Sequence, residues 1–475
     1  MSDLRHRAAS LSPGFVPTAV LSILPVAAVL GIAMLAQLWL APVLANAGAD
    51  FFIKMGVDIL VAMVLAISLT MVNGFTGQFS IGHAAFMAVG AYTAACIVYY
   101  GSYRFYGNAN VQGGLVSSMV YGVRDVPWFA WADALFLGAL LAGGLVAAGC
   151  GYLVGLPSLR LKGDYLAIVT LGFGEIVRVL VQSQTTEVLA EGASVTPDHL
   201  RMIPAWGSTL AVDDYITAEA IASAPVWVWP KYVGGALGFG GLPFYTSPFW
   251  VVLVAGLTLL VAFRIKSSSY GRAFLSIRED EIASEAMGVN VTAYKVRAFV
   301  VAAFFAGIAG GLFAHTVGVQ LNPAELGFQK SFDIIIMVVL GGLGSISGAA
   351  IAAVIVTILP ELLRTPDLLA ASWPYGLGGV VLGAGLIGVL RSGGRSTTLG
   401  RAVLFAGLLV AGLGLLALWA KGSEVDLGRY RMVFFALALI AMMILRPQGL
   451  LGVGEIWDRS FWADLVARRS KGGVS

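Results

Sequence analysis

The stretch SSSYGRAFLSIREDEIASEAMGVN, residues 267–290, stands between two strongly apolar segments and decides how the chain is read. It gathers Arg272, Arg278, Glu279, Asp280, Glu281 and Glu285 within a few turns. Among them Phe274, Ile277, Ile282, Ala286 and Met287 recur at roughly helical spacing, which predicts a short amphipathic helix. Gly288 and Asn290 tolerate the left-handed conformation and supply its stop. On the face of an apolar bundle such a helix is a handle for a soluble partner. A solvated connecting loop is the competing reading.

The rest of the composition says what kind of bundle it is. Hydrophobic residues make up 58% of the chain and charged ones 12%, against roughly 25% charged in a soluble domain. Several apolar runs approach the ~20 residues that cross a bilayer, so the expected fold is an all-α, polytopic membrane helix bundle. The formal net charge of +3 is small for this length, which leaves membrane orientation, and no nucleic-acid partner, as its meaning. Cys96 and Cys150 sit in apolar stretches as small hydrophobes, and no disulfide is expected.

Outward from the central stretch, Arg264 and Lys266 on one side and Lys295 and Arg297 on the other place it in the cytoplasm by the positive-inside rule. A first span is read over residues 19–44 and a second over 51–72. Residues 73–83, NGFTGQFSIGH, then break helical periodicity with three glycines and five hydrogen-bonding side chains. Irregular backbone at membrane depth survives only where protein or a water-filled cavity surrounds it. Asn73, Gly77, Gln78, Ser80 and His83 are therefore candidates for a solute pathway, with a plain turn between spans as the alternative. Glu175 and Arg178, three residues apart on one helix, share a face and either neutralise each other or meet a substrate. Residues 183–247 are acidic and read as an extracytoplasmic insertion, and 265–295 as the cytoplasmic loop.

Asp333 is read at a helix start, where the dipole favours a carboxylate. From there to residue 359 one straight helix would run roughly 40 Å, more than the ~30 Å hydrocarbon core. Gly341, Gly342, Gly344 and Gly348 break it, and a bend that returns to its starting side keeps the later basic segments inside. A broken or re-entrant pair is expected there, within about 9–11 spans in total. Residues 374–421 add apolar length, and 453–475 read as a cytoplasmic tail lying on the inner leaflet.

Catalytic motifs are missing: G-x-x-x-x-G-K-[ST], H-E-x-x-H, C-x-x-C and G-x-S-x-G all fail to appear. The chain is read as holding no cofactor or metal and as no enzyme.

The residues 73–92 (NGFTGQFSIGHAAFMAVGAY), 163–178 (GDYLAIVTLGFGEIVR), 270–294, 331–350 (SFDIIIMVVLGGLGSISGAA) and 446–452 (RPQGLLG) together resemble the permease subunit of the branched-chain amino-acid type of bacterial ABC importer. That group includes urea and short-amide permeases. The resemblance implies one permease domain over 1–475 in the bacterial inner membrane. It implies two ATPase subunits that use ATP, a second related permease, and a periplasmic solute-binding protein. It makes the stretch from Arg278 to Gly288 the coupling helix, with Arg278, Glu279, Glu281, Glu285, Ala286 and Gly288 facing an ATPase. Three features depart from the family: a long insertion before GGALGFGGLP at 234–243, the extra apolar residues 374–421, and a long segment at 102–131. The expected function is import of a branched-chain or related amino acid. The rivals are a urea or amide permease, a membrane enzyme using His83 or His315, and a stand-alone ion-coupled transporter.

Overall fold

The structure is a computed structural model describing residues 18–46, 50–110, 114–115, 129–158, 165–184, 222–223, 225–231, 233–316 and 320–364, with 440, 449, 452 and 455. Residues 374–421, nearly all of 453–475 and much of 183–247 lie outside the described residues, and so do the expectations for them. The described helices are α1 (Thr18–Leu35), α2 (Ala41–Asn46), α3 (Asp50–Leu69), α4 (His83–Tyr106), α5 (Trp131–Ser158), α6 (Tyr165–Gln182), α7 (Pro248–Ser267), α8 (Ser269–Glu279), α9 (Glu281–Ala286), α10 (Val291–Ala314), α11 (Phe328–Gly341) and α12 (Ile346–Arg364). Among the described residues, seven helices are long and apolar enough to cross a membrane.

Helices α4, α5 and α10 form the centre because glycine lets their backbones touch. Lipid tails are as apolar as leucine, so helices in a bilayer associate by close packing rather than by hiding from water. A methyl added at Gly90 would lie 2.2 Å from the Gly307 carbonyl oxygen, and one at Gly143 would lie 2.7 Å from the carbonyl of Gly90. Gly310 faces the Met87 carbonyl and Gly311 faces Leu140 and Ala94. The pair Gly307 and Gly311, visible as small-xxx-small, is thus used in full. The opposite face of α5 carries exposed Leu137, Leu141, Leu145 and Leu153, fit for lipid or a partner helix. Helix α3 packs against α7, α10, α11 and α12, and α1 covers α7.

Two features set the ends of the bundle. Arg264, Lys266, Arg278, Lys295 and Arg297 collect at one end, called here the basic end, with α8 and α9 lying across it. Toward the other end Tyr99, Tyr100, Phe239 and Trp229 pack in edge-on and tilted pairs with ring centroids 5.1–6.1 Å apart. Irregular backbone reaches inward from there. Phe239 and Leu321 exchange backbone hydrogen bonds of 2.9 and 3.1 Å, and the Tyr92 hydroxyl donates to the Leu321 carbonyl at 2.8 Å. Tyr92 is eight residues above Ala84, about 12 Å along α4, so non-helical chain stands deep in the bundle with its polar groups satisfied.

The predicted break in 333–359 is present. Helix α11 ends at Gly341, Gly342 and Gly344 take φ of 110° and 96°, and α12 starts at Ile346 and packs back on α11. Gly341 and Gly348 touch backbone to backbone at the join, where a methyl on either would come within 2.4 Å or less of the other. Helix α11 begins five residues before Asp333, at Phe328. Asp333 is therefore in the second turn, not at the start, because Gly327 supplies the entry.

Candidate functional site at the basic end

The central stretch folds as two helices instead of one. Ser268 caps α8, its hydroxyl accepting the Gly271 amide, and Phe274 and Ile277 bury the apolar face of α8. Asp280 then interrupts. Its backbone is extended and its carboxylate accepts the amides of Ile282 and Ala283 at 2.8 and 3.0 Å, starting α9. A carboxylate is among the best N-caps, so a sequence reading that counted Asp280 only as a charge missed the joint. Gly288, with φ 85° and open space around it, closes α9. Ile282 and Met287 do not face the bundle: they are 73% and 84% exposed, beside exposed Glu285, Ala286 and Gly288. Helix α9 thus offers an apolar tip ringed by carboxylates.

What lies beneath that tip is the strongest feature of the molecule. Arg278 Nη1 donates to the Gly74 carbonyl at 3.0 Å, and its Nη2 pairs with Glu279 at 3.0 Å. Lys295, at the start of the second turn of α10 and 4% exposed, pairs with Glu281 at 2.6 Å. Gln78 Nε2 donates to the same Glu281 oxygen at 3.2 Å. Gly74 in turn touches Gly344: a methyl at Gly74 would lie 2.6 Å from the Gly344 nitrogen. Lys266, at the end of α7, donates to the Gly344 carbonyl at 2.8 Å and to Glu455 at 2.5 Å. The break after α3, the break after α11 and the charged loop therefore meet at one place.

The other candidates stand further along the bundle. Asn73 is buried, its side-chain oxygen accepting the Ser80 amide at 3.2 Å, while Asn73 Nδ2 and Ser80 Oγ find no partner among the described residues. The Ile81 amide donates to the Thr170 hydroxyl and the Ala84 amide to the Ser331 hydroxyl, so α6 and α11 both cap the entry of α4. His83 is buried with Nε2 2.8 Å from the Ser68 hydroxyl. Glu175 pairs with Arg178 at 2.7 Å, and Arg178 also reaches Gln182 at 3.0 Å. Asp333 is half-buried on α11. Gly77, Gln78, Gly341, Gly342 and Gly344 belong to the basic end described above.

The family model for the branched-chain amino acid transport system, permease component, matches residues 51–391. The chain belongs to this family. The high-affinity branched-chain amino acid transport system permease protein LivM of Salmonella typhimurium is 34% identical to the permease over 64% of the chain and 62% of its own length. LivM of Escherichia coli is 33% identical over the same shares. LivH of Salmonella typhimurium is 25% identical over 52% of the chain and 78% of its own length. The chain thus spans under two thirds of the length of the LivM relatives it matches. No solved structure matches it. It is a multi-pass inner-membrane protein.

Three residues that hold the basic end are not singled out by the sequence. Lys266 and Lys295 read only as orientation signals, and Glu455 as part of a tail. Glu455 is buried, and its carboxylate accepts the Ile346 and Ser347 amides at 2.8 and 2.9 Å and the Ser347 hydroxyl at 2.6 Å. That places a negative charge at the positive end of α12. The only available signal was the position of Glu455 three residues after the RPQGLLG block. The two histidines named for the enzyme rival have other partners: His83 meets a hydroxyl, and His315 Nδ1 lies 2.7 Å from the Pro243 carbonyl.

Proposed function

We propose that the chain is the membrane-spanning subunit of an ATP-driven ABC importer for branched-chain or related amino acids. The observation that carries this reading is the basic end. An exposed apolar tip, Ile282 and Met287, stands on a loop fastened to Gly74 by Arg278, to Gln78 and Lys295 by Glu281, and flanked by Lys266, which bonds Gly344. A force applied to the tip reaches the points where the spans are interrupted. The family match and the names of the LivM and LivH relatives support the substrate class.

In this reading residues 265–295 lie in the cytoplasm, with Arg278, Glu279, Glu281, Glu285, Ala286 and Gly288 at the ATPase contact. Two ATPase subunits use the ATP, and no cofactor is held here. A second related permease completes the pathway and a periplasmic binding protein delivers the solute to the side of residues 183–247. Asn73, Ser80, His83, Glu175 and Asp333 line the solute's path, and Gly77, Gln78, Gly341, Gly342 and Gly344 form its moving inner end.

The test is uptake of radiolabelled leucine, urea and acetamide into vesicles holding the chain and its co-expressed partners. Leucine uptake that disappears when the ATPase phosphate-loop lysine is replaced supports the proposal. Uptake that persists without a working ATPase overturns it, and ATP-dependent uptake of urea or amide alone overturns the substrate class.

A further inference from the structure

We propose that Arg278 is a clasp that makes the two glycine breaks move as one with the charged loop. This rests on the functional reading above and names the residue that transmits the motion. Two stretches far from it and from each other in sequence meet at its side chain. Nη1 donates to the Gly74 carbonyl at 3.0 Å. A methyl at Gly344 would lie 2.8 Å from the same nitrogen, and one at Gly77 would lie 2.9 Å from Arg278 Cγ. The side chain therefore runs between the α3–α4 connection and the α11–α12 turn, in a slot that only glycines on both walls leave open.

The turn is also held from its other side. Lys266 donates to the Gly344 carbonyl at 2.8 Å, and Glu455 anchors Lys266. Lys266 and Arg278 flank the eleven-residue α8: Lys266 is in the last turn of α7, just before the Ser268 cap, and Arg278 is in the last turn of α8. Helix α8 is about 16 Å of rigid rod, with Phe274 and Ile277 keeping it on the bundle. Tilting that rod by a push on α9 shifts the Arg278 end relative to the Lys266 end. The Gly342–Ser345 turn, bonded to Lys266 and packed against the Arg278 guanidinium, then follows, and the Gly74 carbonyl bonded to Arg278 follows with it. Gly342 and Gly344 at φ 110° and 96° are hinge positions that other residues rarely adopt. Arginine suits the role because a planar fork can hold a carbonyl and a carboxylate at once, whereas a lysine ammonium acts as a single point.

The experiment compares wild type, Arg278→Gln, Arg278→Lys and Gly344→Ala in the assembled transporter, reading solute moved per ATP hydrolysed. Arg278→Gln should lower that ratio at least tenfold, and Arg278→Lys should fall between it and wild type. Gly344→Ala, which drives a methyl against Nη1, should lower the ratio similarly. The double variant should be no worse than about twofold below the lower single one, as expected of residues acting as a unit. A residue that merely holds the fold would lower uptake and hydrolysis together and leave the ratio unchanged, and that result overturns the proposal. So do losses that multiply in the double variant. Hydrogen exchange on the chain in detergent supplies an arm independent of transport. Arg278→Gln should speed exchange in 70–82 and 341–345 together, by tenfold or more, with α4 and α10 unchanged. If wild type shows no ATP-driven uptake, the functional reading fails, and this arm alone decides whether Arg278 joins the two breaks. Exchange that rises in one break and not the other rejects it.

Discussion

Replacing Gly90 by alanine tests the central packing directly. The new methyl would lie 2.2 Å from the Gly307 carbonyl oxygen and 2.3 Å from the Gly307 Cα. Ordinary contact needs about 3.5 Å, so α10 must withdraw by more than about 1 Å along its contact with α4. Overpacking by a methylene costs about 1–3 kcal/mol where side chains can yield. Here both walls are backbone, and Gly143 of α5 presses on the other side of the same turn. The expected loss is about 3 kcal/mol or more, a hundredfold or greater change in the folded population. The control is Gly149→Ala on α5, where a methyl meets nothing within 4 Å. It should stay within about 1 kcal/mol of wild type. Reversible unfolding in mixed micelles, followed by tryptophan fluorescence, measures both. A Gly90→Ala protein as stable as the Gly149→Ala protein would refute the close approach of α4 and α10.

Other perturbations address the basic end. Glu281→Gln removes the carboxylate facing Lys295. Because Glu281 is 40% exposed, the full penalty of a buried pair is discounted to about 1–2 kcal/mol, seen as faster protease cleavage within 267–290; an unchanged cleavage rate counts against the pair. Glu455→Gln weakens the cap of α12 and strands Lys266, and should cost about 2–4 kcal/mol in thermal unfolding, whereas a shift of less than 1 °C means that the carboxylate is not the anchor. Glu285→Arg reverses an exposed charge on α9. It should leave stability within about 0.5 kcal/mol and abolish stimulation of a partner ATPase, and normal stimulation removes α9 from the docking surface.

Long-period features were legible in the sequence and close-range ones were not. Apolar run lengths located the seven spans seen among the described residues. Crowded glycines at 341–348 gave the break, because no other residue type reverses a chain so tightly inside an apolar stretch. The charged loop stood out by contrast with its flanks. Asp280 was miscounted because a capping carboxylate and a solvated one look alike until the backbone turns. Ile282 and Met287 share the helical spacing of Phe274 and Ile277 yet are exposed where those are buried, since periodicity reports a face and not which way it points. Lys266, Lys295 and Glu455 escaped because their meaning lies in partners up to 189 positions away. Proximity of that kind is fixed by how helices pack, which no local pattern carries.

The wide turn at the end of α3 has a consequence of its own. Between Leu69 and Phe75 the ladder is loosened, and the Phe75 amide bonds to the Thr70 carbonyl five positions back, at 3.1 Å. Such a turn amounts to one surplus residue threaded into an otherwise regular coil. Excising a single position from Thr70–Gly74 would take up that surplus, since five residues of the wide coil wind about as far as four of the ordinary one, and all that follows would keep its phase. The same excision one turn earlier, in the regular part of α3, has no such slack to absorb it and would swing everything beyond by about 100° around the axis. The wide turn is therefore a reserve of length, and a one-residue deletion inside it should be far milder than its neighbour a few positions upstream.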